Sequence, residues 1–462
     1  MAAVLTTAVA AVAAQTGAGE VSLVVNNAIV VTMDATGRVI QNGAVAVDGA
    51  DIVGVDTTDA IRTQFRSADT IDAAGQIVMP GLVNTHTHAP MVMFRGLADD
   101  LALMEWLNKY IFPAEAKTVS PEMVRAGTRL AALEMIQSGT TTYADMYYFE
   151  EEIARETKAA GLRAVLGQTI IQFPVPDAKT PADSLARAEK FIAEFKGDPL
   201  ITPAVAPHAM YTLDGPTLRA ARELARRSGV PTLIHLAETR DEVMAAQERF
   251  KSSPVAYLDN LGFLGPGVIA AHGVWVSDAD IAVLKAREVG VSHNPESNMK
   301  LASGTAPVTA YLRAGVALGL GTDGAASNND MDMFEAMRVA SLLHKLQTMD
   351  PRVVSARTAL EMGTIGGARA LGLEKQIGSL ERGKRADLIV VNASNARHMP
   401  MYDPISHLVY VTNGSDVQMT IVNGRVLMRD RKVLTLDERA VLSDARAWVA
   451  KVRSAVGPAS PR

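Results

Sequence analysis

The sequence predicts an α/β protein, a (β/α)8 TIM barrel carrying a small discontinuous β-sandwich formed by its N- and C-terminal segments. Three observations predict it. Apolar strand-like runs alternate with helix-period segments between residues 77 and 375, the pattern of a parallel sheet wrapped by helices. Several of those runs close on a histidine or a carboxylate at the C-terminal end, where barrel enzymes carry their sites. A texture of short β runs and turns precedes residue 77 and returns after residue 376, and such small pieces are marginal unless the two ends pair.

Taken in order, the first twenty residues are rich in Ala, Thr and Val and hold no charged side chain before Glu20. They lack the basic region of a signal peptide, so a disordered leader is expected. From Val21 to Asp72, runs such as Ser22 to Val25, Ala28 to Thr32 and Asp51 to Val55 are punctuated by turn residues. The barrel strands are expected at Ile77 to His88, Thr140 to Met146, Arg163 to Ile170, Ile201 to Ala209, Pro231 to Glu238, Val268 to Val276, Gly290 to Asn294 and Val316 to Asp323. Helical periods fill the gaps at Pro121 to Gln137, Pro181 to Phe195, Pro216 to Ser228 and Asp278 to Val289, several opening with Pro in the first turn. The resulting division is a leader at 1–20, a sandwich at 21–76 plus 376–440, the barrel at 77–375, and a C-terminal helix and tail at 441–462.

Composition narrows the function classes. At 462 residues and 48% hydrophobic, the chain can bury a large core. A net charge of -5 gives no basic excess for nucleic acid or an anionic membrane, and no run reaches the roughly 18 apolar residues of a membrane span. A small-molecule enzyme of the cytoplasm is expected, with homo-oligomeric association left open. The absence of cysteine removes disulfides and thiolate ligands, so any metal must be held by His and carboxylate.

Thr85-His86-Thr87-His88 follows an apolar run, and strand alternation turns both imidazoles to one face. With His235 from the fifth strand and Asp323 from the eighth, they make a candidate set for one divalent ion, zinc first, Fe(II) or Mn also compatible. The fourth strand offers no Lys to bridge a second metal, which favours a mononuclear site. A bound dication brings the pKa of water to about 7. Asp323 is then a candidate proton acceptor, Glu238 a general acid/base, and His272 a group that orients the nucleophile. Each residue also has a plain structural reading: Asp323 as a turn carboxylate before Gly324, Glu238 as a helix N-terminal carboxylate, His272 as a core histidine.

These residues resemble the amidohydrolase superfamily, in its deaminase and chlorohydrolase branch. Asn84 to Met91, Arg95 to Asp100, Glu105 to Leu107, Pro207 to Tyr211, Asn294 to Leu301 and Gly378 to Ile389 are similar to 5'-methylthioadenosine / S-adenosylhomocysteine deaminases. The resemblance implies hydrolytic loss of ammonia from an adenine ring of methylthioadenosine, S-adenosylhomocysteine or adenosine. It also implies that Glu115 holds the ribose hydroxyls, His208 contacts substrate and Trp106 lines the pocket. One departure stands out: Gln168 to Thr180 contains no Arg to grip the homocysteine carboxylate, so an apolar 5' thioether or plain adenosine is expected to be served better, with Phe173 to Pro176 a rigid loop near the mouth. The alternatives are a guanine or oxidised-purine deaminase or an s-triazine hydrolase of the same branch and, in a different class, an inactive barrel used as a scaffold.

Overall fold

A computed structural model describes residues 18–456. Most of the expected leader and the last residues of the expected tail lie outside the described residues. Eight parallel strands close into a barrel in chain order: β1 (Leu82–Thr87), β2 (Thr140–Tyr147), β3 (Arg163–Ile170), β4 (Ile201–Pro207), β5 (Thr232–Leu236), β6 (Val268–His272), β7 (Gly290–His293) and β8 (Ala317–Leu320). Every residue of β2 and β3 is buried. Helices cover the outside and side chains fill the inside, so these strands show no alternation of apolar and polar positions.

Local chemistry sets the helix boundaries. Pro121–Ser138 starts on a Ser120 cap, with Pro in its first turn, and ends at Gly139 with φ 87°. Pro181–Phe195 and Asp278–Ala286 open on reciprocal capping boxes, Thr180 with Asp183 and Ser277 with Asp280. After β1 the chain makes an excursion that sequence periodicity did not resolve. A 3-10 turn (Ala89–Phe94) leads to a helical stretch, Leu103–Trp106, Leu107–Ile111 and Phe112–Thr118, whose middle segment is a π turn. The wider turn rotates the next residues about the helix axis, and the stretch contributes Trp106, Ile111 and Glu115 to the cavity wall.

The two ends of the chain meet in one nine-stranded sheet. The expected strand Ile77 to His88 is corrected here, because it is two strands. Ile77–Pro80 pairs with Leu388–Val391 and with Leu23–Val31 in the terminal sheet, whereas Leu82–Thr87 belongs to the barrel. Gly81 makes the switch; a Cβ there would lie 2.1 Å from the Thr141 side chain. An apolar run reads the same in either sheet, so the break was not visible in it. At the base of β3, buried Arg163 donates through Nε to Asp387 Oδ2 at 2.8 Å, tying the barrel to the terminal sheet. The C-terminal helix is Glu438–Val456, and its Asp444 pairs with Arg129 of Pro121–Ser138.

Candidate active site

Barrel closure gathers the polar ends of the strands. His86 lies in β1 and His88 one residue beyond it, His235 lies in β5, and His272 ends β6. Glu238, His208 and Asp323 follow the ends of β5, β4 and β8. At the seam, Thr322 N donates to Asn84 Oδ1 at 3.1 Å and Asp323 N to the His86 carbonyl at 2.9 Å, so the last strand is registered against the first. His272 and Asp323 have φ of 75° and 64°. Such left-handed backbone in a non-glycine residue is costly and concentrates where function requires it.

The hydrogen bonds fix which ring nitrogens are free. His88 Nδ1 bonds the Met146 carbonyl at 2.7 Å and His235 Nδ1 the His208 carbonyl at 2.8 Å. A carbonyl only accepts, so each Nδ1 carries the proton and each Nε2 presents a lone pair. These two Nε2 atoms lie 3.3 Å apart, and His88 Nε2 is 3.4 Å from Asp323 Oδ1. His86 Nε2 lies 3.5 Å from the same oxygen, yet it is buried without any hydrogen bond. An orphaned buried nitrogen demands a partner. Three imidazole nitrogens and one carboxylate around a common point fit a dication.

His272 belongs to one of the two donor triads whose atoms lie within 4.8 Å, with His86 and His235, and two asparagine amides engage its other ring nitrogen. Its Nδ1 is approached by Asn294 Nδ2 at 3.2 Å and Asn298 Nδ2 at 3.0 Å. The Asn294 amide is oriented by Ser292 Oγ, which donates to its Oδ1 at 2.9 Å. The Asn294 amide, oriented by Ser292, can donate to Nδ1, an arrangement that goes with hydrogen on Nε2. That N–H faces Glu238 Oε2 at 3.7 Å and Asp323 Oδ2 at 3.9 Å.

Burial sets the protonation states. It pulls His208 and His272 down to about 3, keeping both neutral. It pushes the Glu238 carboxyl well above the usual range, with further upward pressure from Asp323 and Glu242. For Asp323 burial pushes upward too, but His86, His88 and His272 hold it well below the ordinary carboxylate value. Ser297 Oγ and the Gly324 N–H, each at 2.7 Å, also donate to it. The ionisation of two neighbouring carboxyl groups is thus pushed in opposite directions.

The site opens into a cavity of about 70 Å³. His88, His208, His235, Glu238, His272 and Asp323 line its floor, while Trp106 and Glu115 form part of its wall. Trp106 is buried, and Glu115 is buried with one carboxylate oxygen bonded to Tyr147 Oη at 2.7 Å. Burial raises Glu115 to about 7, against the lowering effect of that bond. Sequence reasoning gave no role to Tyr147, Asn294 or Asn298. Tyr147 ends β2, so the strand-end rule that selected the histidines would have found it. The two asparagines lie in a motif already noticed, but only packing shows which ring they serve.

A family model described as Amidohydrolase family matches residues 77–427. The chain belongs to the amidohydrolase family. This amidohydrolase is 46% identical over 430 residues to a 5-methylthioadenosine/S-adenosylhomocysteine deaminase of Syntrophobacter fumaroxidans, covering 93% of this chain and 98% of that protein. It is 49% identical over 427 residues to a 5'-deoxyadenosine deaminase of Methanosarcina barkeri, covering 92% and 96%. A crystal structure of an adenosine deaminase from Xanthomonas campestris with bound zinc superposes on it with a TM-score of 0.93 at 39% identity, covering 95% and 100%.

Proposed function

We propose that this amidohydrolase hydrolyses the 6-amino group from the adenine ring of a nucleoside, releasing ammonia and the inosine analogue. The observation that carries the reading is the geometry of one cavity floor, where His272 Nε2 lies 3.7 Å from Glu238 Oε2 and 3.9 Å from Asp323 Oδ2 beside His88 and His235. The nucleoside deaminase names of its relatives support the substrate class. His86, His88, His235 and Asp323 would hold the metal, and three nitrogens with one oxygen make zinc the first choice. When bound, a dication supplies Lewis acidity that makes water nucleophilic near neutral pH.

The remaining chemistry belongs to the side chains. Asp323 accepts a proton from the attacking water. Glu238 donates its proton to the ring nitrogen beside the attacked carbon, takes the remaining proton of the added hydroxyl and passes it to the leaving amine, and is restored by the first water proton held on Asp323. The His272 Nε2–H faces both carboxyl groups and donates to the oxygen that adds to the ring. Glu115 accepts from the ribose hydroxyls, and His208 and Trp106 border the bound nucleoside. A free base would leave Glu115 buried without a ligand, which disfavours the purine-base and triazine readings.

A second cavity of about 360 Å³ adjoins the first, sharing Leu107, Phe112 and Tyr211. Phe112 and Phe173 meet edge to face, their centroids 5.6 Å apart, along its wall. This throat suits a thioether at the 5' position. The β3 loop gives the second cavity Gln172 and Phe173, but Arg249 and Asp214, from other elements, also line it. A guanidinium beside a carboxylate complements the charged end of a homocysteine tail. The expectation that this tail lacks a cation therefore considered only one loop.

The deciding experiment is ammonia release from methylthioadenosine, 5'-deoxyadenosine, S-adenosylhomocysteine, adenosine, adenine, guanine and an aminotriazine, by zinc-loaded and chelator-treated protein. Turnover of the nucleosides, lost on chelation and restored by zinc, is expected. Activity confined to free bases or the triazine would overturn the reading.

A further inference from the structure

We propose that Tyr147 is the positioning residue of the sugar site, its hydroxyl holding the Glu115 carboxylate in the orientation that receives the ribose diol. The proposal rests on the deaminase reading and deepens it. Glu115 is buried in a wall whose lining also includes Trp106, Ile111, Phe112 and Tyr148, and its hydrogen bond is to Tyr147 Oη. A carboxylate has about four acceptor sites. With one used by the phenol, the others remain to receive two sugar hydroxyls, and rotation of the group about its terminal bond is arrested.

Tyr147 is itself firmly held. Its backbone N–H donates to Glu150 Oε1 at 2.8 Å, and its ring lies against Tyr148 with centroids 4.9 Å apart. Its phenol stays protonated, because burial and the Glu115 charge both push its ionisation well above the ordinary tyrosine value, so it keeps the hydrogen that it donates to Glu115. The neighbouring residue, Met146, offers the carbonyl that sets the His88 tautomer. Two consecutive residues at the end of β2 thus fix the sugar carboxylate and a ring of the metal cluster. The distance between sugar and reaction centre is built into one strand end.

The groups around Glu115 make the proposal testable through pH. Tyr148, packed beside it, stays neutral, since its own ionisation is pushed far up. Lys117, on the same helix, donates to the Ala455 carbonyl, and among the described residues no cation pairs with Glu115. The Tyr147 bond is therefore what opposes the pull of burial toward the neutral acid. Removing the hydroxyl makes Glu115 harder to ionise and frees it to turn.

The test is the pH dependence of 1/KM for methylthioadenosine in the wild type, Tyr147→Phe, Glu115→Gln and the double variant, with metal content and thermal midpoint checked for each. Tyr147→Phe is expected to raise KM about tenfold at pH 7, as for a lost hydrogen bond to a charged group. It should leave kcat within about twofold and move the acid limb of 1/KM upward by about one pH unit. In the Glu115→Gln background the same change should have little further effect, because the coupling is between these two side chains. Direct binding of methylthioinosine by calorimetry gives a second readout and should weaken in parallel, whereas hypoxanthine binding should not change. An unshifted acid limb, or a KM increase equal at every pH and retained in the Glu115→Gln background, overturns the proposal. A wild type inactive on every nucleoside would remove the functional reading and this proposal together. A nucleoside-active wild type with an unaltered Tyr147→Phe variant removes this proposal alone.

Discussion

Glu238 shows how environment sets the charge state of an ordinary side chain. Its backbone N–H and that of Ala237 donate to Glu242 at 2.9 and 3.0 Å, so the turn after β5 is pinned with Ala237 at φ 49°. The carboxyl then points into a buried space where the charged form is disfavoured. Glu238→Gln keeps the shape but removes the transferable proton. It should lower kcat by on the order of a thousandfold with zinc content unchanged, measured by metal analysis beside the ammonia assay; near-normal turnover would take Glu238 out of the mechanism. Glu238 was legible in the sequence from its spacing to His235. Its protonation, like the tautomer of His272, depends on groups distant in the chain: Asp323 for the first, Asn294 and Asn298 for the second.

Among the elements, β3 is informative because its two ends do different work. Gln168, near its C-terminal end, donates to Asp177 at 2.8 Å and braces the loop beside the mouth. At its N-terminal end Arg163 is bonded to Asp387, which also accepts from the Asn423 N–H at 2.7 Å. A buried pair broken on one side leaves an uncompensated charge. Arg163→Met should therefore destabilise the fold by roughly 3 kcal/mol, seen as a lower thermal midpoint, with kcat per folded molecule near wild type because the substitution is at the opposite end of the barrel. A midpoint unchanged from wild type would show that Asn423 alone satisfies Asp387. The eight barrel strands could be placed from apolar runs, helix spacing and strand-end polar residues. The β1 boundary could not, since Gly81 marks a change of sheet that depends on the proximity of Thr141.

For the whole molecule, stability depends on buried carboxyls as well as on the core. Burial lifts Glu242 to about 7 from an ordinary 4.5. A folded value above the unfolded one means that the native state binds more protons between the two, so this contribution is fully present below about 4.5 and is lost as pH rises to about 7. The thermal midpoint should fall across that window, and Glu242→Gln should flatten the part due to this residue. A midpoint that rises from pH 5 to 7 with the same slope in both proteins would contradict the assignment.

By itself the sequence determined the barrel and the chemical identity of its strand ends, because strand period, helix period and capping are local properties that survive without knowledge of the fold. It also placed Glu115, Trp106 and His208, through resemblance to a family. Tertiary structure decided how these parts meet: that Ile77–Pro80 joins the terminal sheet, that Asn294 and Asn298 engage the His272 ring, that Tyr147 bonds Glu115, and that Arg249 lines the cavity where the β3 loop offers no arginine. Each depends on residues separated along the chain and brought together by closure of the barrel, and charge state and hydrogen-bond direction follow from that surrounding space.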